Sequence, residues 1–390
     1  MGIEPKPTGL QTDQTARTTA PGPAPAGKLS CVPWPDLEPR IAEWDELANA
    51  AAEPNPFFES WYLLPSLRAL RARDVRLLIY EEAGRLRGLM PVLRSARYYR
   101  WPLPHIGNWL HPNCFLGAPL VGRGSEAPFW RALLDWADES PGTALFLHLR
   151  AMALEGPLHA ALLAVAGEQR RIEVVQSERR AMLQSDLPPD AYWERSLSAK
   201  KRKELRRQAN RLGEAGALRI DRCGDDRDLA RWTDDFVALE AAGWKGRSGS
   251  ALASSPDTSR LFRDALAGAC ARGRLERLTL SLDDRPIAML ASFIAPPGAF
   301  SFKTAFDEDY ARFSPGVLLQ QENLAILERR DIAWSDSCAA ADHPMIDHIW
   351  RERREIGRLS IAIGGALRRS AFSQVVSAEM ARGKAAGTDE

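Results

Sequence analysis

Hydrophobic and polar positions change period several times along the chain, and the changes come twice in the same order. The second half is the clearer copy. From Asp228 to Ala242, apolar Leu229, Trp232, Phe236 and Leu239 recur at helical spacing; Leu261, Phe262, Leu266 and Cys270 do the same from Asp257 to Ala271. Three strand-like runs follow, LERLTLSL, IAMLASFI and AFSFKTAF, separated by Asp283-Asp284-Arg285-Pro286 and Pro296-Pro297-Gly298, both suited to hairpins. The pattern then predicts a helix from Pro315 to about Arg330, a short strand at IAWSDS and a last helix from Pro344 to about Arg358. In the first half, helices are predicted near Leu37 to Ala51 and Ser60 to Ala72, then strands RLLIY and LRGLMPVL around Glu82-Ala83-Gly84. An aromatic segment leads to CFLGAPLV, followed by a helix from Ala127 to Ala137, the strand ALFLHL and a helix from Leu158 to Glu168.

Two helices, an antiparallel meander, a helix and a strand parallel to the last meander strand make a mixed α/β sheet. Such a sheet splays where a helix, not a hairpin, joins the parallel pair, and ligands favour that crevice. The expected fold is therefore α/β with mixed sheets in two tandem units, residues 31–180 and 181–365, meeting near Ser177 to Tyr192. Residues 1–30 hold hardly any large apolar side chain and are expected to be disordered. Residues 366–390 read as a tail, with GALRRSAFSQVVSAEM a loosely docked helix.

Composition narrows the function. A length of 390 residues suggests two or three domains. With 52 Lys+Arg against 51 Asp+Glu, the whole molecule has no electrostatic preference for nucleic acid or an anionic membrane. No apolar run approaches the ~18 to 20 residues of a membrane span, and the first thirty residues lack the pattern of a secretion signal. The 5 cysteines show no CxxC and the 6 histidines no HxH or HExxH. A reduced, cytoplasmic, metal-free protein is the expectation. One local charge run stands out: Lys200 to Arg211, interrupted only by Glu204 among acidic residues, with an apolar stripe of Leu205, Ala209 and Leu212. It fits a basic helix that contacts phosphates, an anionic polymer or a membrane surface, or a solvated linker helix between the units.

The element order matches the GNAT acyltransferase unit, found twice. WERSLSAKKRKELRRQANRL, GWKGRSGSAL, FSFKTAFDEDYARFSPGVLL and DSCAAADHPMIDHIW occur in that order between Trp193 and Trp350. This stretch resembles the CelD-type bacterial acetyltransferases linked to cellulose and other exopolysaccharide production. That family is similar in turn to the peptidoglycan-bridge aminoacyltransferases. The resemblance implies an acyl-CoA donor such as acetyl-CoA, a small-molecule or saccharide acceptor with an amine or hydroxyl, and no nucleic-acid partner. Two features depart from those relatives. The phosphate-cradling Q/RxxGxG/A loop is replaced by DYARFSPGV, and only the Gly243 to Ser255 loop stands where the aminoacyltransferases carry a helical arm. A non-catalytic scaffold or binding module of an exopolysaccharide machine is the alternative reading.

The candidate site residues follow from this frame. Ser314 is a good helix cap before Pro315, so the free amides of Gly316, Val317 and Leu318 are expected to hold the donor's pyrophosphate. Asp336, ending a short strand at the splay, and His343 in the next loop are candidate proton acceptors. Lys303 sits mid-strand among small residues and is the third catalytic candidate, with Asp307 or Asp336 as possible partners. Trp244, Lys245 and Arg247, in a Gly-flanked loop, and Tyr310 are candidates for acceptor binding. No GxSxG elbow or base-paired cysteine suggests a covalent intermediate, so direct attack on the thioester is expected.

Overall fold

The computed structural model describes residues 27–386; residues 1–26 of the stretch expected to be disordered lie outside them. The first half runs β1 (Lys28–Pro33), α1 (Ile41–Asn49), α2 (Ser60–Ala69), β2 (Arg76–Glu82), β3 (Arg85–Ser95), β4 (His105–Asn108), β5 (Leu120–Val121), α3 (Glu126–Glu139), β6 (Phe146–Ala153), α4 (Pro157–Ala166) and β7 (Ile172–Leu183). Two helices, α5 (Pro189–Ser196) and α6 (Ala199–Glu214), lead into the second half. There the order is β8 (Leu218–Cys223), α7 (Leu229–Ala242), α8 (Trp244–Arg247), α9 (Pro256–Cys270), β9 (Leu275–Leu282), β10 (Arg285–Ala295), β11 (Gly298–Phe306), α10 (Pro315–Asn323), β12 (Trp334–Asp336), α11 (Ile346–Ile349), β13 (Glu352–Ala362) and α12 (Ala366–Ala386).

Both halves use the same local devices. Ala83-Gly84 and Asp283-Asp284 each place two consecutive residues at positive φ (49° and 76°; 49° and 63°). That geometry matches the twist of the flanking strands and closes the β2–β3 and β9–β10 hairpins. In the first half the third meander strand is β4, not the CFLGAPLV run expected there, of which only Leu120–Val121 pairs, with β3. Buried amides satisfy that irregular backbone: Asn108 Nδ2 donates to the carbonyls of Gly117 (2.9 Å) and Arg150 (2.8 Å), and Asn55 Nδ2 to that of Ala118 (2.6 Å).

The two halves share one sheet, in the order β1-β2-β3-β4-β6-β13-β7-β12-β11-β10-β9-β8, with β5 to the side. Read with the second-half strands matched to the first, this order is a palindrome about the β13–β7 pair. Each half has exchanged its last strand: β7 lies against β12, and β13 lies against β6. The expected last helix from Pro344 is therefore corrected. Only Ile346–Ile349 is helical, and Glu352–Ala362 is a strand, because its place is a gap between β6 and β7. The expected boundary at residue 180 falls inside β7, residues 28–33 are strand β1, and residues 366–386 form α12, with Phe372 and Val376 buried against Tyr98 and Phe146.

Helices close the two halves together as well. α2 packs on α9, where a Cβ at Gly268 would come within 2.9 Å of Trp61 Cβ; glycine allows that approach. Phe57, Trp61 and Tyr62 of the first half meet Phe293 and Phe302 of the second in edge-on contacts. Arg274 bridges to Glu59 (3.4 Å) and Arg272 to Asp45 (2.9 Å). One apolar core therefore runs through both units.

Candidate active site

The parallel pair β11–β12 is short. Its register covers only Gly298 to Phe300 against Trp334 to Asp336, so β11 continues from Ser301 with that edge open. On its other side β11 is bulged: Ser292 pairs Ser301 and Ala291 pairs Lys303, leaving Phe302 as the extra residue. A bulge re-aims side chains. Here Ser301, Phe302, Lys303 and Thr304 all line one cavity of about 780 Å3. Its other walls are the start of α10, the loop after β12, the segment 343–349, α8 and Lys201 of α6.

Of the residues singled out in the sequence, Lys303, Ser314, Gly316, Val317, Trp244, Lys245 and His343 line this cavity. Leu318 points into a separate apolar cluster, where Tyr310 packs at the edge. Arg247 turns outward to Glu308 (2.6 Å), whose other oxygen accepts the Trp244 amide (2.6 Å). Lys245 is anchored by buried Glu240 (2.8 Å), which also accepts the Leu252 amide (2.8 Å) and so ties the loop back to the body.

Asp336 departs furthest from expectation. It is fully buried and outside the cavity, held by Arg180 (2.6 Å), Arg354 (2.9 Å) and the Cys338 amide (2.9 Å). Despite its burial, the two guanidiniums hold its carboxyl below the usual range. A carboxylate so held is a countercharge that pins β12 to β7 and β13; it is not a proton acceptor for a substrate. Lys303 does not pair with it, or with Asp307, which bonds Arg285 (2.6 Å).

The start of α10 also differs. Ser314 is left-handed (φ 55°) and makes no side-chain cap; its carbonyl accepts from the amides of Val317 (2.9 Å) and Leu318 (3.1 Å). Those two amides are engaged, which leaves Gly316 as the helix-start amide for an anion. Gly316 is buried at the cavity wall, and a Cβ there would meet Met345 Sδ at 3.1 Å, so a side chain would fill the space beside its backbone.

His343 Nδ1 accepts the Met345 amide (3.3 Å), and burial lowers its proton affinity. With Nδ1 accepting, the neutral ring carries its proton on Nε2. Cys338, at the cavity wall, keeps its thiol protonated: burial and the neighbouring Asp336 push its pKa well up. Lys303 is different. Half-buried, 5.7 Å from the Phe302 ring, it has no carboxylate within ion-pair distance among the described residues. Burial, opposed by Glu240 and aided by Lys245, lowers its pKa to about 8.

Arg180, Arg354 and Lys201 were not among the residues read as a site. Lys201 carried a signal, as part of the basic run. The two arginines carried none, because their partner lies 156 and 18 residues away in sequence.

Comparison with protein families now bears on this geometry. Residues 199–343 match the model of an acetyltransferase (GNAT) domain. The chain carries an acyltransferase domain. The match begins at α6 and ends at His343, so it contains the cavity walls contributed by Lys201, Trp244, Lys303 and α10. Among solved structures, FemX is 12% identical, with 86% of this chain and 98% of that one covered and a TM-score of 0.54. A conserved Bacteroides thetaiotaomicron protein of unknown function is 13% identical over 83% and 97%, at 0.51. A C-terminal domain assigned to a lysylphosphatidylglycerol synthetase of Agrobacterium fabrum is 12% identical over 85% and 94%, also at 0.51. These likenesses run through both halves and show the fold alone, a mixed α/β architecture. Comparison with curated proteins finds no match. Acyltransferase domains of this fold generally take acyl-CoA. Among the described residues no cluster of ligating side chains is arranged for a metal ion, and no helix is long and apolar enough to cross a membrane.

Proposed function

We propose that the protein is an acyl-CoA-dependent N- or O-acyltransferase, with acetyl-CoA the first donor to test. The observation that carries the reading is the open edge of β11 beside the start of α10, both facing a cavity to which the matched acetyltransferase domain contributes most walls. An extended amide-bearing chain can pair with such an edge. The Gly316 amide, the α10 dipole and Lys201 suit the pyrophosphate. In the transfer step the acceptor nitrogen or oxygen attacks the thioester carbonyl, a new C–N or C–O bond forms, and the C–S bond breaks. The acceptor's proton passes to the neutral amine of Lys303 and from there to the departing thiolate. In this reading His343 Nε2–H donates to a polar group of one of the substrates, and Trp244 with Lys245 overhangs the acceptor. Likeness of the segment Trp193 to Trp350 to exopolysaccharide-linked acetyltransferases favours a saccharide or envelope precursor as acceptor.

The test is thermal denaturation with rising acetyl-CoA. A donor at a hundred times its dissociation constant stabilises by about 2.7 kcal/mol, a shift of several degrees. No shift with acetyl-CoA or with longer acyl-CoAs would leave the non-catalytic binding module as the reading.

A further inference from the structure

A second cavity, of about 490 Å3, lies over the central β7–β13 pair and adjoins the first; Phe115, Cys338 and Ala339 line both. Arg150, Arg180 and Arg358 stand on its walls, with Glu178 the one carboxylate among its lining residues. His111, also on the wall, is held neutral, its pKa lowered to about 4 by burial.

The strand exchange shows that these arginines are not equivalent. Arg180 stands two residues before Met182, the register partner of Asp336. Arg358 stands two residues before Ser360, the register partner of His148. The two arginines thus occupy matching places in the two halves. Arg180 finds a carboxylate there; Arg358 finds a buried imidazole, bonded to Ser360 Oγ (3.0 Å). An imidazole carries no negative charge and so offers no countercharge; burial and nearby cationic groups lower the His148 pKa to about 3 and keep it neutral. Among the described residues Arg358 bonds the hydroxyl of Tyr99 alone, over whose ring it sits at 5.9 Å. Arg150 has no side-chain partner among the described residues, and burial together with Arg358 lowers its proton affinity. Neither has a carboxylate within ion-pair distance among the described residues. Arg150 is exposed and Arg358 partly so, so water reaches both, and an anion seated between them can take charge-assisted hydrogen bonds from each. A single carboxylate answers one of the charges; a phosphate at neutral pH, with about −1.5 to −2, answers both.

We propose that Arg150 and Arg358 bind a phosphate or pyrophosphate group of the acceptor, whose reactive end reaches the acyl cavity past Phe115, Cys338 and Ala339. The placement rests on the acyltransferase reading above; the anion site itself does not. The test is calorimetric titration with inorganic pyrophosphate, with and without saturating CoA, and with CoA affinity measured on each protein. Binding should persist in saturating CoA and fall roughly ten- to a hundred-fold in Arg150→Gln and in Arg358→Gln, as expected for losing charge-assisted hydrogen bonds. Arg358→Lys should recover part of it. Arg150, whose side chain is exposed in the middle of β6, keeps the test informative where Arg358→Gln is poorly folded. Displacement of pyrophosphate by UDP-glucose assigns a nucleotide-linked acceptor, and displacement by phosphatidylglycerol vesicles a lipid-linked one. Pyrophosphate binding that CoA abolishes, or that both glutamine variants keep, overturns the site; displacement by neither competitor overturns its assignment to the acceptor. A protein that binds pyrophosphate here but no CoA would overturn the donor reading alone.

Discussion

At Lys303 function and stability pull in opposite directions. Its amine, with a pKa lowered to about 8, is neutral in part at physiological pH and so matched to take a proton. The same shift costs stability. A lysine whose folded pKa lies below its unfolded 10.5 is bound to more protons in the unfolded chain between those values, so stability rises with pH from about 8 toward 10.5. Lys303→Met should therefore lose turnover by about 100- to 10,000-fold and gain stability at pH 7, on the order of 1–3 kcal/mol. In the unmodified protein kcat/KM should climb as pH rises through about 8. Steady-state rates and urea unfolding on the same samples check both. A variant that keeps its rate, or a profile falling through that pH, removes Lys303 as the acceptor of the proton.

At the scale of elements, the site is made by places where regular structure stops. β11 loses its parallel neighbour after Phe300, gains a bulge at Phe302 and so turns four consecutive residues toward one cavity. α10 begins after a left-handed Ser314, with no side chain on its backbone at Gly316, where the helix start meets the cavity and Met345. A Cβ with two methyls at that point projects between the helix start and Met345. Gly316→Val should weaken acetyl-CoA binding about ten-fold or more, equivalent to about 1.4 kcal/mol, while the melting temperature of the free protein moves by only a few degrees. Equal affinity in a folded valine variant would move the pyrophosphate away from α10.

At the scale of the whole molecule, the exchange of β7 and β13 makes each half incomplete without the other. Removing β7 leaves β12 an open edge and Asp336 without Arg180; removing β13 does the same to β6. The shared core around Phe57, Trp61, Phe293 and Phe302 adds apolar surface that neither half covers alone. Residues 27–183 and 184–386 expressed separately should stay unfolded or aggregate, and when co-expressed should assemble. The intact chain should unfold in one calorimetric transition. A folded, monomeric 184–386 fragment that binds acetyl-CoA would show the exchange to be dispensable.

How much of this was open to sequence reading depends on the range of the forces involved. The helices α7 and α9, the meander β9–β10–β11 and both positive-φ hairpins rest on local periodicity and turn chemistry, which a few consecutive residues express. Lys303, Trp244 and the α10 start could be singled out because short-range pattern marks them as unusual, and the tertiary fold does bring them to one cavity. The strand β13 could not be read. RERREIGR carries charges at helical spacing, and its extended form is decided only by the gap between β6 and β7. The role of Asp336 was hidden for the same reason. A strand end beside a crevice predicts a carboxylate near substrate; whether it meets solvent or two guanidiniums depends on Arg180 and Arg354, supplied by strands far away in sequence. Local propensities belong to the sequence itself, whereas countercharge and strand partner are properties of chain segments that meet only on folding.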